Sequence, residues 1–124
     1  MKQIIDELQD INVLVVEDGE DIRNIISSTF QKIFHHTYTA VDGVDGVEKY
    51  LELKPDIIIT DIRMPNMSGN DLVDKIKQID PNMPIVVVSG HGRLIKKTNK
   101  ADVFLEKPIN FIRLVTEIHR LLKK

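Results

Sequence analysis

The chain has 124 residues, a length typical of one domain, and 42% hydrophobic and 29% charged residues are ordinary for a globular protein. Seventeen basic and nineteen acidic residues give a formal net charge of -2, which argues against nucleic-acid binding through bulk charge. The chain has no cysteine, which excludes disulfides and thiolate metal sites, and it has no long apolar run, so we expect a cytoplasmic protein without a signal peptide or a membrane partner.

The first half of the chain alternates between helical and strand-like patterns. Residues 1–10 predict a short extra helix through Ile4, Ile5 and Leu8. Residues 13–16 form a continuous apolar run, typical of a parallel strand buried on both faces. An amphipathic helix follows, with an apolar face formed by Ile22, Ile25, Ile26, Thr29, Phe30 and Ile33. Residues 37–41 are less apolar and predict a strand at a sheet edge. A shorter helical face then comprises Val44, Val47, Tyr50, Leu51 and Leu53.

The second half repeats this alternation. Continuous apolar runs at residues 57–59, 85–88 and 103–105 predict three more strands buried on both faces. Two helical faces separate or follow them, formed by Leu72, Val73, Ile76 and Ile79 and by Phe111, Leu114, Val115, Ile118 and Leu122. Residues 93–100 are short and basic, and they predict only a small further helix.

Five strands alternating with helices predict an α/β domain. Parallel strands need right-handed crossovers, so we expect a doubly wound five-stranded parallel sheet with helices on both faces. The flavodoxin-like strand order 2-1-3-4-5 is the leading topology. We expect residues 11–124 to form this domain and residues 1–10 to be an N-terminal extension.

Polar residues follow four of the predicted strands: Glu17 and Asp18, then Asp61, Ser89 and Lys107. Because the carboxyl ends of parallel strands meet at one edge, we expect these side chains to converge near the topological switch point. Three neighbouring carboxylates repel one another, and Mg²⁺ is the hard cation that suits such ligands. A carboxylate also attacks phosphorus to give an aspartyl phosphate, with positive charge and a hydroxyl stabilising the phosphoryl oxygens.

Four segments in order resemble the receiver domain of two-component response regulators. They are VLVVEDGED, IIITDIRMPNMSG, IVVVSG and VFLEKP. The resemblance covers about residues 12–123. It implies that Asp61 is the phosphoacceptor and that Mg²⁺ is held by Glu17, Asp18, Asp61 and the backbone carbonyl of Arg63.

The resemblance also assigns a switch. Ser89 and Lys107 would bind the phosphoryl group, and the loop of Ser89 would move toward it. Phe104, the switch aromatic, would then turn inward, which is a shift between two pre-existing packings. A cis peptide bond at Lys107-Pro108 is a further implication.

The implied function is signalling and not enzymatic, although such a domain promotes its own phosphorylation and dephosphorylation. A histidine kinase or a phosphotransfer protein would be the donor. The output partner is unknown, or an output domain is missing from this sequence, and phosphorylation-dependent dimerisation is a further implication. The stretch between Ser89 and Lys107 is shorter than usual in the family. Arg63 and His91 flank the site, and we expect Arg63→Ala to change the rate of phosphate release, measured directly, without abolishing acceptance.

Three other functions stay open at this point. A phosphatase or mutase resembling haloacid dehalogenases would carry a second Asp where Arg63 stands. A flavin-binding electron carrier would have a phosphate loop rich in Ser, Thr and Gly after the first strand, where this chain has acidic residues at 17, 18, 20 and 21. A degenerate receiver would act as a phosphorylation-independent interaction module. Separately, Asp18 alone could cap a helix, and Asp42, Asp45 and Glu48 resemble a calcium loop only with the wrong spacing.

Overall fold

The computed structural model describes residues 1–90 and 100–123. Five strands form one parallel sheet in the order β2-β1-β3-β4-β5, which confirms the predicted topology. The strands are β1 (Asn12–Val16), β2 (His36–Ala40), β3 (Ile57–Thr60), β4 (Ile85–Ser89) and β5 (Val103–Glu106). The described helices are α1 (Lys2–Leu8), α2 (Glu20–Phe30), α3 (Gly43–Leu53), α4 (Gly69–Ile79) and α5 (Phe111–Leu122). None of them is long and apolar enough to cross a bilayer.

Two layers of helices bury the central strands on both faces. Alternate residues point to opposite sides, so Leu14 and Ile58 pack toward α3 and α4 whereas Val13 and Ile57 pack toward α2 and α5. The predicted short helix at the N-terminus is confirmed as α1, and its Leu8, 1% exposed, joins the core on the α2 and α5 side.

The two edge strands differ from the central ones. β2 lies at one edge, as predicted from its weaker apolar pattern. The prediction that residues 103–105 are buried on both faces is wrong, because β5 lies at the other edge and its apolar residues are only half-buried. An edge strand has one neighbour, so its outer side is less covered than that of a central strand.

Several residues of the predicted helical faces are exposed instead of buried. Ile26 and Phe30 of α2 enter the core, but Ile25 is 58% exposed, and the helix ends before Ile33. The same holds for Val44, Leu51 and Ile79. Ile22 and Ile25 border an apolar groove of about 270 Å³ that Phe111 also lines. The apolar stripe of α2 is therefore wider than the sheet surface that it covers.

Side-chain caps begin three of the described helices. Asp42 accepts the Asp45 N–H at the start of α3, Ser68 accepts that of Asp71 at α4, and Asn110 accepts that of Arg113 at α5. α2 begins after Gly19 without a side-chain cap, so the reading of Asp18 as a cap is wrong. The Lys107-Pro108 peptide is cis, as the resemblance implied. The predicted helix at residues 93–100 and His91 lie outside the described residues, apart from Lys100.

Candidate functional site

Backbone hydrogen bonds just past the strands place the polar residues of the carboxyl edge. The Glu17 N–H donates to the Ala40 carbonyl at 3.0 Å, and the Asp61 N–H donates to the Val16 carbonyl at 3.2 Å. The Lys107 N–H donates to the Ser89 carbonyl at 2.9 Å. Each residue thus continues the sheet by one position, so the strand spacing fixes the separation of the side chains.

The acidic residues and Lys107 meet at this edge. Lys107 Nζ lies 2.9 Å from Asp61 Oδ2 and 3.2 Å from Glu17 Oε1. One oxygen each from Glu17, Asp18 and Asp61 lies within 4.8 Å of the others. The convergence expected from the strand ends is therefore present in the structure for these four residues.

The charges of this cluster do not balance. Burial raises the pKa of Glu17, which is 4% exposed, and the negative charge of Asp61 raises it further against the effects of the Gly19 N–H and Lys107. Burial alone would lower the pKa of Lys107, but the hydrogen bonds and charges of Asp61 and Glu17 raise it overall. Within the part of the chain that the structure describes, three carboxylates thus lie beside one ammonium group. A cluster of oxygen donors with excess negative charge fits Mg²⁺.

Two supports of the acidic residues were not found from the sequence. Arg23 Nη1 of α2 donates to the Glu17 carbonyl at 2.9 Å and to the Asp18 carbonyl at 3.4 Å, which holds the backbone of the acidic pair. The Ile62 N–H donates to Asp61 Oδ1 at 2.6 Å, so both oxygens of Asp61 have a hydrogen-bond donor. No local pattern marks Arg23, because its partners lie in a loop whose path only the fold determines.

Gly69, at the start of α4, permits a close approach to the backbone of Asp61. A Cβ at this position would lie 2.0 Å from the Asp61 carbonyl oxygen and 2.8 Å from Ile62 Cα. Its N–H donates to the Ile62 carbonyl at 2.8 Å. No pattern in the sequence indicates this backbone contact.

The other predicted site residues occupy three different positions. Ser89 is 2% exposed, and it ends β4 beside Glu106, the residue before Lys107. Phe104 pairs with Val87 in the sheet and packs, half-buried, against the core on the α3 and α4 side. Arg63 has an exposed side chain two residues after Asp61. Ser89 therefore lies at the carboxyl edge, whereas Phe104 lies within β5, two residues before the position that pairs with Ser89.

Comparison with known proteins agrees with this arrangement. A response regulator receiver domain model matches residues 13–119. The chemotaxis protein CheY of Thermotoga maritima is 36% identical over 116 residues, 90% of this chain and 97% of that protein. The hybrid signal transduction histidine kinase D of Dictyostelium discoideum is 33% identical over 117 residues, 89% of this chain but 7% of the kinase.

A solved structure shows the same fold. The response regulator TrrA of Thermotoga maritima, crystallised in complex with Mg²⁺-BeF, matches with a TM-score of 0.83 at 27% identity, covering 90% of this chain and 99% of that one. Receiver domains form a signalling family, generally without enzymatic activity, that binds Mg²⁺ at an acidic cluster and receives phosphoryl groups from histidine kinases or phosphotransfer proteins. The sheet order, the acidic edge and these matches together make the chain a member of the response regulator receiver domain family.

Proposed function

We propose that Asp61 is the phosphoacceptor of this receiver domain. The observation that carries the proposal is the position of its carboxylate, 2.9 Å from Lys107 Nζ and within the acidic cluster at the sheet edge. Phosphoryl donors are anionic, so an attacking carboxylate needs positive charge around it. Lys107 supplies one such charge, and the cluster is built to hold another.

Glu17, Asp18, Asp61 and the backbone carbonyl of Arg63 would hold Mg²⁺. Carboxylate and carbonyl oxygens are the ligands that this ion prefers, and it retains water at its other positions. When bound, Mg²⁺ neutralises charge on the phosphoryl oxygens during transfer. Among the described residues, the excess of carboxylates over ammonium groups at this edge supports a cation requirement.

The donor in this proposal is a phosphohistidine of a histidine kinase or a phosphotransfer protein. A bond forms between an Asp61 oxygen and phosphorus while the P–N bond breaks. Its electron pair stays on the imidazole nitrogen, which takes up a proton. Lys107 pairs with the incoming phosphoryl group as it pairs now with the carboxylate, and Ser89 donates its hydroxyl hydrogen to a phosphoryl oxygen. Attack of water on the same phosphorus would release phosphate and restore Asp61.

Ser89 and Phe104 would transmit the change. Ser89 ends β4, and Phe104 lies on the neighbouring strand, in register with Val87. A new acceptor group beside Ser89 favours the packing in which its hydroxyl reaches that group, and Phe104 responds to the space that the movement opens. Phe104 has no hydroxyl, so its part would depend on packing alone.

The phosphorylation-independent module is not favoured, because each position that the chemistry requires is occupied by a suitable residue. The identity of the donor, the output partner, phosphorylation-dependent dimerisation and the boundary between residues 1–10 and 11–124 stay predictions.

The direct test is incubation with acetyl phosphate and Mg²⁺ followed by intact-mass measurement. We expect one phosphoryl group per chain, lost in Asp61→Ala and lost when Mg²⁺ is chelated. Asp74→Ala, which removes an exposed carboxylate of α4, is the matched control and should be labelled like wild type. Labelling of Asp61→Ala at the wild-type level would refute the proposal.

A further inference from the structure

The acceptor loop, residues 62–67, is fixed at both ends by backbone contacts. The Asp61 N–H is bonded to Val16 of β1, and the Gly69 N–H donates to the Ile62 carbonyl. Between these points, the Met67 N–H donates to the Pro65 carbonyl at 2.7 Å, a bond within the loop itself. Met64 and Met67 pack against the core on the α3 and α4 side, so a hydrogen bond to another element is what remains to fix the polar middle of the loop.

Asn66 makes that contact. Its backbone has φ 69°, in the left-handed region that Asn tolerates better than most residues. Its Nδ2 donates to Asp42 Oδ2 at 2.7 Å. Within residues 1–90 and 100–123, this is the one side-chain hydrogen bond that joins residues 62–67 to another element.

Asp42 is a well-fixed partner for this bond. Its other oxygen, Oδ1, accepts the Asp45 N–H at 2.8 Å and so caps α3. The adjacent Gly43 lies against the loop, because a Cβ there would be 2.3 Å from the Met67 carbonyl oxygen. The start of α3 thus contacts the acceptor loop twice, once through a hydrogen bond and once through close backbone packing.

We propose that the Asn66–Asp42 hydrogen bond, which joins the acceptor loop to the capped start of α3, positions the loop for Mg²⁺ binding and for phosphorylation of Asp61. The inference rests on the proposed function, in which the Arg63 carbonyl is a metal ligand. Arg63 precedes Asn66 by three residues. The left-handed turn at Asn66 and the Asn66–Asp42 hydrogen bond, called the tether below, therefore set the path of the segment that carries the Arg63 carbonyl. Asp42 and Asn66 are then positioning residues, because neither belongs to the acidic cluster.

Three variants separate the tether from its neighbours' structural roles. Asp42→Ser keeps a helix-capping oxygen but is too short to reach Asn66. Asn66→Gly keeps a residue that accepts a positive φ but removes the amide. The exchange Asp42→Asn/Asn66→Asp reverses donor and acceptor at the wild-type net charge, and it retains a capping oxygen at position 42.

The experiment has three measurements. They are the Mg²⁺ dissociation constant without a phosphoryl donor, the amide hydrogen exchange of residues 62–67 in metal-free protein, and the rate of Asp61 labelling. We expect Asp42→Ser and Asn66→Gly each to weaken Mg²⁺ binding on the order of tenfold, the lower end for residues that orient metal ligands. Combining them should add no further loss, because both remove the same bond. The exchange variant should bind like wild type, and loop amides should exchange faster only in the variants that lack the tether.

Wild-type Mg²⁺ affinity in both single variants, or losses that add fully in their combination, would overturn the inference. These outcomes are read beside wild-type labelling. A wild-type chain that is not labelled on Asp61 would overturn the proposed function instead, whereas normal labelling with unaffected tether variants would overturn the tether alone.

Discussion

The two ends of the sheet hold their charges in different ways. At the end where the strands begin, Lys77 of α4 pairs with Asp102 Oδ2 at 2.8 Å and donates to the Met83 carbonyl at 2.7 Å. Asp102 Oδ2 also accepts the Ile85 N–H at 2.8 Å. One cation thus meets one anion there, and the other bonds involve backbone groups. At the carboxyl edge, within residues 1–90 and 100–123, Lys107 is the one cation that forms ion pairs with the cluster of Glu17, Asp18 and Asp61, and its partners are Glu17 and Asp61.

The first arrangement is a balanced ion pair, whereas the second holds more carboxylates than cations among the described residues. Two carboxyls, one from each end, have pKa shifts of opposite sign. Burial raises the pKa of Glu17, which means that its ionised form is disfavoured, whereas the hydrogen bond from His119 lowers the pKa of Glu7 near the beginnings of the strands. Among the described residues, the cluster of Glu17, Asp18 and Asp61 therefore carries an excess of negative charge, which a bound cation would offset.

The largest expected effect is on the coupling between Mg²⁺ and stability. Mg²⁺ at about a hundred times its dissociation constant should stabilise the wild-type protein by about 2.7 kcal/mol. Glu17→Gln should lose most of this stabilisation, because it removes one of the three clustered carboxylates that we propose as Mg²⁺ ligands. Urea unfolding with Mg²⁺ and with a chelator measures both values.

The matched control for Glu17→Gln is Asp102→Asn, which removes a carboxylate from the opposite end. It should lower the unfolding free energy equally with and without Mg²⁺, so that the full stabilisation by Mg²⁺ remains. Equal Mg²⁺ stabilisation in Glu17→Gln and wild type would contradict the distinction between the two ends.

The second prediction concerns the backbone packing of the carboxyl edge. Gly69→Ala places a methyl group 2.0 Å from the Asp61 carbonyl oxygen, and a backbone atom has no rotamer by which to avoid it. We expect a loss of about 1–3 kcal/mol in unfolding free energy and slower labelling of Asp61. Gly90→Ala, where no atom of the described residues lies within 4 Å of the added Cβ, is the control and should change stability by less than about 0.5 kcal/mol. Equal stability of the two variants would show that the Asp61 segment yields freely.

A third, smaller effect tests the ion pair between Lys77 and Asp102. Lys77 has a side chain only 10% exposed, and Lys77→Met keeps most of its apolar stem but removes the ammonium. We expect a loss of about 1–2 kcal/mol that is independent of Mg²⁺. Lys75→Met, at an exposed lysine of the same helix, should be near neutral. A Mg²⁺-dependent loss in Lys77→Met would mean that the two ends are coupled.

Much of the fold and of the acidic edge was predictable because short-range patterns determine them. Continuous apolar runs mark buried strands, and the parallel topology alone brings the residues after those strands to one edge. Glu17, Asp61 and Lys107 were found in this way. The same argument failed for β5, because an apolar run does not reveal whether a strand has one neighbour or two.

What the sequence did not reveal depends on contacts between distant segments. The bonds from Arg23 to the Glu17 carbonyl and from Asn66 to Asp42 join loops whose relative placement only the folded chain defines. At the other end, Asp56 and Asp102 each precede a strand and accept the first N–H of its neighbour, from Asn12 and Ile85. This repeated use of Asp is visible only once the strand order is known.

The smallest expected effect concerns pH at the end where the strands begin. Glu7 Oε1 lies 2.6 Å from His119 Nε2, and this hydrogen bond lowers the pKa of Glu7 below its ordinary value of 4.5. A carboxyl whose pKa is lower in the folded state adds stability above that ordinary value, and the contribution is lost as pH falls through the folded-state pKa. The unfolding free energies of wild type and Glu7→Gln should therefore differ above pH 4.5 and converge in more acidic solution.

The unfolding free energies of wild type and Glu7→Gln are each measured as a function of pH. The difference between these two curves reports on the Glu7–His119 pair alone. Both proteins carry the same carboxyl-edge cluster, so its titration cancels in the subtraction. Glu52→Gln, at an exposed residue of α3, is the control and should give a curve parallel to that of wild type. The effect is small because the Glu7 side chain is 45% exposed and its charge is screened by water. A Glu7→Gln curve that stays parallel to wild type at every pH would show that this end gains nothing from the pair, and the contrast in pKa shifts would then carry no energetic meaning there.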